Sequence, residues 1–167
     1  ITMRAPGMTF WRMPLLGWAN FSTSLLVVLA TPFVAGSQFM ILFDRALGMN
    51  FFDAAQGGDS VMYQHIFWFY SHPAVYIMVL PGFGIISEIV SVMSRKPIFG
   101  YRLMAMSLLG ILVLGFSVWA HHMFVAGMAD ASMNQASNAG GATMGGQPVS
   151  SVQTAFAAAV AVLIIAC

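Results

Sequence analysis

His72 and Tyr76 stand four residues apart in one apolar run, and His121 and His122 stand side by side in the next. On a helix, a separation of four puts both side chains on one face about one turn apart. Three imidazoles and a phenol therefore lie in segments that otherwise read as lipid-soluble, where polar and ionisable groups are expensive and ask for a function. A single histidine in a buried helix is most simply a hydrogen-bonded structural residue, but three at membrane depth point to a ligand set. Neutral imidazoles suit copper or zinc, and the lack of a nearby thiolate or paired carboxylate argues against calcium, magnesium or an iron-sulfur cluster. Adjacent His121 and His122 cannot share one face of an α-helix. For both to bind, the metal must sit where both rings swing toward it, with His72 reaching in from the neighbouring helix. Tyr76 favours copper: zinc has no redox use for a phenol, whereas copper chemistry with dioxygen can take an electron and a proton from it.

The elements that must position these residues are long and apolar. The chain of 167 residues is 59% hydrophobic and 7% charged, against roughly a quarter charged in a soluble domain. Stretches 13–43, 61–93 and 103–128 each exceed the ~20 residues needed to cross a bilayer. The fold class expected is an all-α membrane protein, a polytopic transmembrane helix bundle of three full spans. A fourth apolar stretch, 152–167, is too short to span and reads as a helix cut off by the chain end. Ile1-Thr2-Met3-Arg4 has no signal-peptide layout, so the chain is expected to be an internal piece of a longer protein. The single cysteine excludes an internal disulfide framework. A net charge of +1 without a basic patch gives no case for nucleic acid.

Charge sets the orientation. Arg4 and Arg12 precede the first span, and Arg95, Lys96 and Arg102 lie between the second and third. The loop after the first span carries only Arg45, beside Asp44, Asp53 and Asp59. Loops must alternate sides, and the positive-inside rule then makes loop 94–102 cytoplasmic. Weakly polar residues of the first span, such as Ser22, Thr23 and Thr31, read as helix-packing groups. Pro73 and Pro81 inside the second span remove backbone donors and can bend it, which implies packing against partners. Residues 129–151, rich in Ala, Ser, Asn, Gly and Gln, read as a flexible outer loop. Glu88, near Arg95 and Lys96, reads as a paired or solvated carboxylate.

Trp68-Phe69-Tyr70-Ser71-His72-Pro73-Ala74-Val75-Tyr76, then Leu80-Pro81-Gly82-Phe83-Gly84-Ile85-Ile86-Ser87, then Val118-Trp119-Ala120-His121-His122-Met123-Phe124 closely resemble subunit I of the haem-copper terminal oxidases. Met3-Arg4-Ala5-Pro6-Gly7-Met8 and Phe51-Phe52-Asp53 fit in the same order. The resemblance covers residues 1–128 and corresponds to the family's fifth to seventh transmembrane helices. It implies that His72, His121 and His122 ligate the copper that faces a high-spin haem iron, where dioxygen is reduced to water. It implies that Tyr76 is covalently linked to the first copper histidine and supplies an electron and a proton, and that Trp119 packs beside the copper. Ser87 matches a hydroxyl on the proton route that reaches this tyrosine. It lies eleven residues after Tyr76, about three turns along nearly the same face.

Two departures stand out. Many members carry Glu where this chain has Ala74, and the Tyr70-Ser71 pair matches the subgroup that uses these hydroxyls on the second proton route instead. After 128 the family continues into a helix bearing a proton-route Lys, whereas this chain has no Lys after Lys96. The expected function is part of the catalytic subunit of a proton-pumping oxygen reductase, inactive alone, in a multi-pass setting in a bacterial plasma membrane. Expected partners are membrane lipid, the remaining helices of subunit I, other oxidase subunits, dioxygen, and cytochrome c or quinol as electron donor. The haem's axial histidines are expected on other helices, because His65 lies near the outer end of its span and matches no haem-ligand motif. The alternative is a proton-coupled transporter or channel with a metal-free histidine relay, which would need carboxylates paired with the histidines at mid-membrane.

Overall fold

The computed structural model describes residues 4–123, residue 126 and the pairs 143–144 and 147–148. Helix α1 is Leu15–Leu47, α2 is Ser60–Ser94 and α3 is Tyr101–Gly115, and α3 is followed by a 3-10 turn, Trp119–Met123. Short 3-10 turns also occur at Phe10–Arg12 and Ala54–Gln56. Thr143–Met144 pairs antiparallel with Gln147–Pro148 as strands β1 and β2, within the stretch expected to be an outer loop. The rest of 129–151, and the apolar stretch 152–167, lie outside the described residues.

Three helical segments, Leu15–Leu47, Ser60–Ser94 and Tyr101–Met123, are long and apolar enough to cross a membrane. With 33 and 35 residues, α1 and α2 would each extend about 50 Å at 1.5 Å per residue, well beyond a hydrocarbon core of ~30 Å. The chain is a multi-pass membrane protein. The third apolar run differs in detail from an unbroken helix. It leaves α geometry at Gly115, where Ser117 Oγ turns back to the Leu114 carbonyl at 2.8 Å. A low-propensity glycine followed by a serine that competes for backbone carbonyls is a poor continuation of an α-helix.

Helix ends are fixed by side chains. Asp59 accepts from Val61 N at 2.8 Å and caps α2, Asp53 accepts from Ala55 N, and Asp44 accepts from Phe51 N at 2.6 Å, so the acidic loop is spent on its own turns. Gly48 ends α1 in the left-handed region, at φ 63°. Pro14, at the start of α1, has no capping oxygen. Instead Glu88 Oε1, from α2, accepts from Leu15 N at 3.0 Å. The expectation of a merely paired or solvated Glu88 thus gives way to an interhelix cap, placed by the packing of α1 on α2.

The helices meet in two regions. Near the basic end, Leu15, Trp18, Ala19 and Leu26 of α1 pack with Tyr76 and Leu80 of α2 and with Ala105, Leu108, Ile111 and Leu112 of α3. Gly84 sits at the α1–α2 crossing. A Cβ there would fall 2.8 Å from Leu16 Cα and 2.9 Å from Ala19 Cβ, so only glycine permits this approach. Tyr101 OH joins the segment ahead of α1 to α3 by donating to the Met13 carbonyl at 2.5 Å and accepting from Trp18 Nε1 at 2.9 Å. With Arg102 set over the Trp11 ring, this brings residues 10–13 beside the start of α3, at one end of the bundle. Farther along α2, toward its start, Ala120 and Met123 of the 3-10 turn are buried against Val61, Trp68 and Trp119. Pro73 and Pro81 lie inside α2, which continues through both.

Candidate metal centre

α2 presents His72 to the 3-10 turn. His72 is 6% exposed, His121 is half-buried and His122 is exposed. One ring nitrogen from each, taken together, forms a set whose atoms all lie within 4.8 Å of one another. His72 Nδ1 is 3.2 Å from His122 Nε2. That is a hydrogen-bond distance, and it is also close to the about 3.3 Å between two nitrogens bound tetrahedrally to one ion at about 2.0–2.1 Å, so one metal could take the place of the shared proton. His121 Nδ1 donates to the Val118 carbonyl, which fixes the tautomer and leaves Nε2 as the lone-pair donor. His72 Nε2, the other ring nitrogen, is buried and has no hydrogen-bond partner among the described residues.

The 3-10 geometry resolves the difficulty of two adjacent ligands. The His121 and His122 rings lie 4.0 Å apart, and their centroids are 4.6 and 5.5 Å from that of His72. A tighter turn, reached after α geometry has ended at Gly115, lets neighbouring side chains converge on one point. Tyr76, 9% exposed, packs edge-on to His72 at 4.7 Å. Gly115 makes room for it: a Cβ there would lie 3.1 Å from Tyr76 Cδ2.

The family model for Cytochrome C and Quinol oxidase polypeptide I matches residues 1–139. The chain belongs to that family. Among curated oxidase relatives, cytochrome c oxidase subunit 1 of Cereibacter sphaeroides is 52% identical over 129 residues, 77% of this chain and 23% of the relative. That of Synechocystis sp. is 54% identical over 127 residues, covering 76% and 23%, and that of Bacillus sp. 52% over 128, covering 77% and 21%. The chain therefore spans less than a quarter of the length of these relatives. The family match also runs past residue 128, where the recognisable motifs stop. Haem and copper are the cofactors of oxidase subunit I, and a set of three imidazoles is a donor set that fits copper.

Of the other residues expected from sequence, Tyr70, Ser71 and Trp119 are near the trio in the chain and Ser87 lies farther along α2. Tyr70 and Ser71 immediately precede His72 on α2, both half-buried. Ser87 lines a cavity of about 190 Å³ with Ser107, Leu15, Leu108 and Ile111, and Leu108 and Ile111 belong to the cluster that encloses Tyr76. Trp119 begins the turn, donates Nε1 to His65 Nδ1 at 3.2 Å and packs on Phe69. The indole stacked flat on a trio member is Trp68, 3.9 Å from His122 at an interplanar angle of 3°. In the sequence Trp68 stands out only as part of a motif. Its spacing, four residues before His72, already put it on the same face. Gly115 and His65 carried no comparable signal, because their partners lie on other elements.

Proposed function

We propose that this chain carries the copper-binding part of a proton-pumping oxygen reductase, in which dioxygen is reduced to water between copper and a haem iron held by other helices of the same polypeptide. The observation that carries the proposal is the convergence of His72, His121 and His122 ligand atoms within 4.8 Å, on a chain of the oxidase polypeptide I family. Copper bound there would supply one-electron redox chemistry beside the haem iron. The three histidines hold and orient it, with the Val118 carbonyl fixing the His121 ring. Tyr76, buried against His72, is the source of an electron and a proton, and the covalent link to His72 belongs to this proposal. Ser87 and its cavity lie on the proton route toward Tyr76, and Tyr70 and Ser71 serve the second route. Trp119 packs beside the copper turn. The electron donor is cytochrome c or quinol, other oxidase subunits complete the assembly, and the end carrying Arg95, Lys96 and Arg102 faces the cytoplasm of a bacterial cell.

The metal-free relay alternative needs carboxylates beside the histidines. Among the described residues Glu88 is engaged with Leu15 N, and Asp44, Asp53 and Asp59 with turn amides. The test is copper and haem content with oxygen uptake on the full-length membrane complex, wild type against His121→Ala. Loss of one copper and of oxygen reduction with haem retained supports the proposal. Unchanged copper and uptake would leave the histidines as structural or relay groups.

A further inference from the structure

His65 lies outside the metal-capable trio, yet it is bonded to the segment that carries two of its members. Trp119 Nε1 donates to His65 Nδ1 at 3.2 Å across 54 residues of sequence, with the rings edge to face at 6.3 Å. Trp119 is the first residue of the 3-10 turn, and His121 and His122 follow within that same turn. Short 3-10 turns have poor internal hydrogen bonds and hold their shape through outside contacts. Here α2 grips the turn at two places, through Trp68 stacked on His122 and through the His65–Trp119 bond. The surrounding pocket, lined by Phe33, His65, Ile66, Phe69 and Trp119, is otherwise apolar. An indole N–H is a donor only, and in such surroundings it needs an acceptor. A neutral imidazole with its proton on Nε2 provides one at Nδ1.

We propose that His65 is a positioning residue for the copper site: by accepting the Trp119 N–H it fixes the turn so that His121 and His122 face His72. This rests on the copper-site reading above and adds to it a residue that does not touch the metal. The bond, not the bulk of the side chain, is what matters, so an acceptor of similar reach replaces it.

The experiment uses the purified full-length oxidase complex as wild type, His65→Gln, His65→Leu and His121→Ala. Two quantities are read: copper per haem during timed dialysis against a chelator, and the indole N–H hydrogen-bond marker in ultraviolet resonance Raman difference spectra. His65→Leu is expected to lose the Trp119 hydrogen-bond signature and to release copper about tenfold faster, the lower range for removal of a ligand-supporting group. His65→Gln, whose amide oxygen can accept, is expected to keep both near wild type. Equal release by the Leu and Gln variants, or wild-type release from His65→Leu, overturns the proposal. If His65→Leu does not assemble, Trp119→Phe removes the donor instead, and wild-type copper release from that variant is equally fatal. An empty copper site in His121→Ala together with wild-type behaviour of His65→Leu rejects only the positioning role. Full copper in His121→Ala rejects the site reading beneath it.

Discussion

The two halves of α2 are built on opposite principles. From Tyr76 toward its C-terminal end the helix packs on α1 and α3 through apolar side chains and a glycine crossing, and its hydrogen bonds to neighbours serve helix ends. From its start to His72 it meets the 3-10 turn through imidazoles and indoles, and leaves His72 Nε2 buried and unpartnered. The first half meets α1 and α3 by side-chain packing and close backbone approach, and its contacts call for no ligand. The second holds three imidazoles whose ring nitrogens lie within the reach of one metal ion. Scaffold and site thus share one helix, with Tyr76 at the join.

Substitutions in the full-length complex test this contrast. The largest effect is expected from His72→Ala, which should remove the site copper and abolish oxygen reduction while haem content and thermal midpoint stay near wild type. A collapse of assembly would mean that the histidine half is itself scaffold. Gly84→Ala should do the reverse, lowering the unfolding free energy by about 1–3 kcal/mol through overpacking against Leu16 backbone. Copper per haem in the surviving protein should be unchanged, and thermal denaturation with metal analysis reads both.

Trp68→Leu removes the stack on His122. Aromatic pairs are worth about 0.5–1.5 kcal/mol beyond burial, so copper release against a chelator should quicken several-fold with little change in melting. An unaltered rate would make Trp68 a packing residue only. The smallest effect is expected at Glu88. Loss of a helix cap costs typically ~1 kcal/mol, so Glu88→Ala should lower the thermal midpoint slightly. Glu88→Gln, which retains an oxygen acceptor for Leu15 N, should be close to neutral by the same measurement. If Gln were as damaging as Ala, the carboxylate charge and not the cap would be at work.

Membrane class, the three apolar segments and the three histidines that come together were legible in residue types and spacing. The reason is that a bilayer imposes long apolar runs on the sequence, and any imidazole placed in them stands out. His72 and Tyr76 sharing a face follows from helix periodicity alone, as the edge-on packing of their rings bears out. Local pattern, however, does not carry distance between elements. The end of α geometry at Gly115 has a local cause, but that the two adjacent histidines beyond it converge was decided by tertiary structure, where Val118 and Ala120 are fully buried. That Glu88 caps a helix 73 residues away, that Gly115 accommodates Tyr76, and that His65 meets Trp119 were decided there too. Each depends on which faces of α1, α2 and the turn come together. Sequence spacing fixes positions along one helix, whereas contacts between helices exist only once packing has chosen their register.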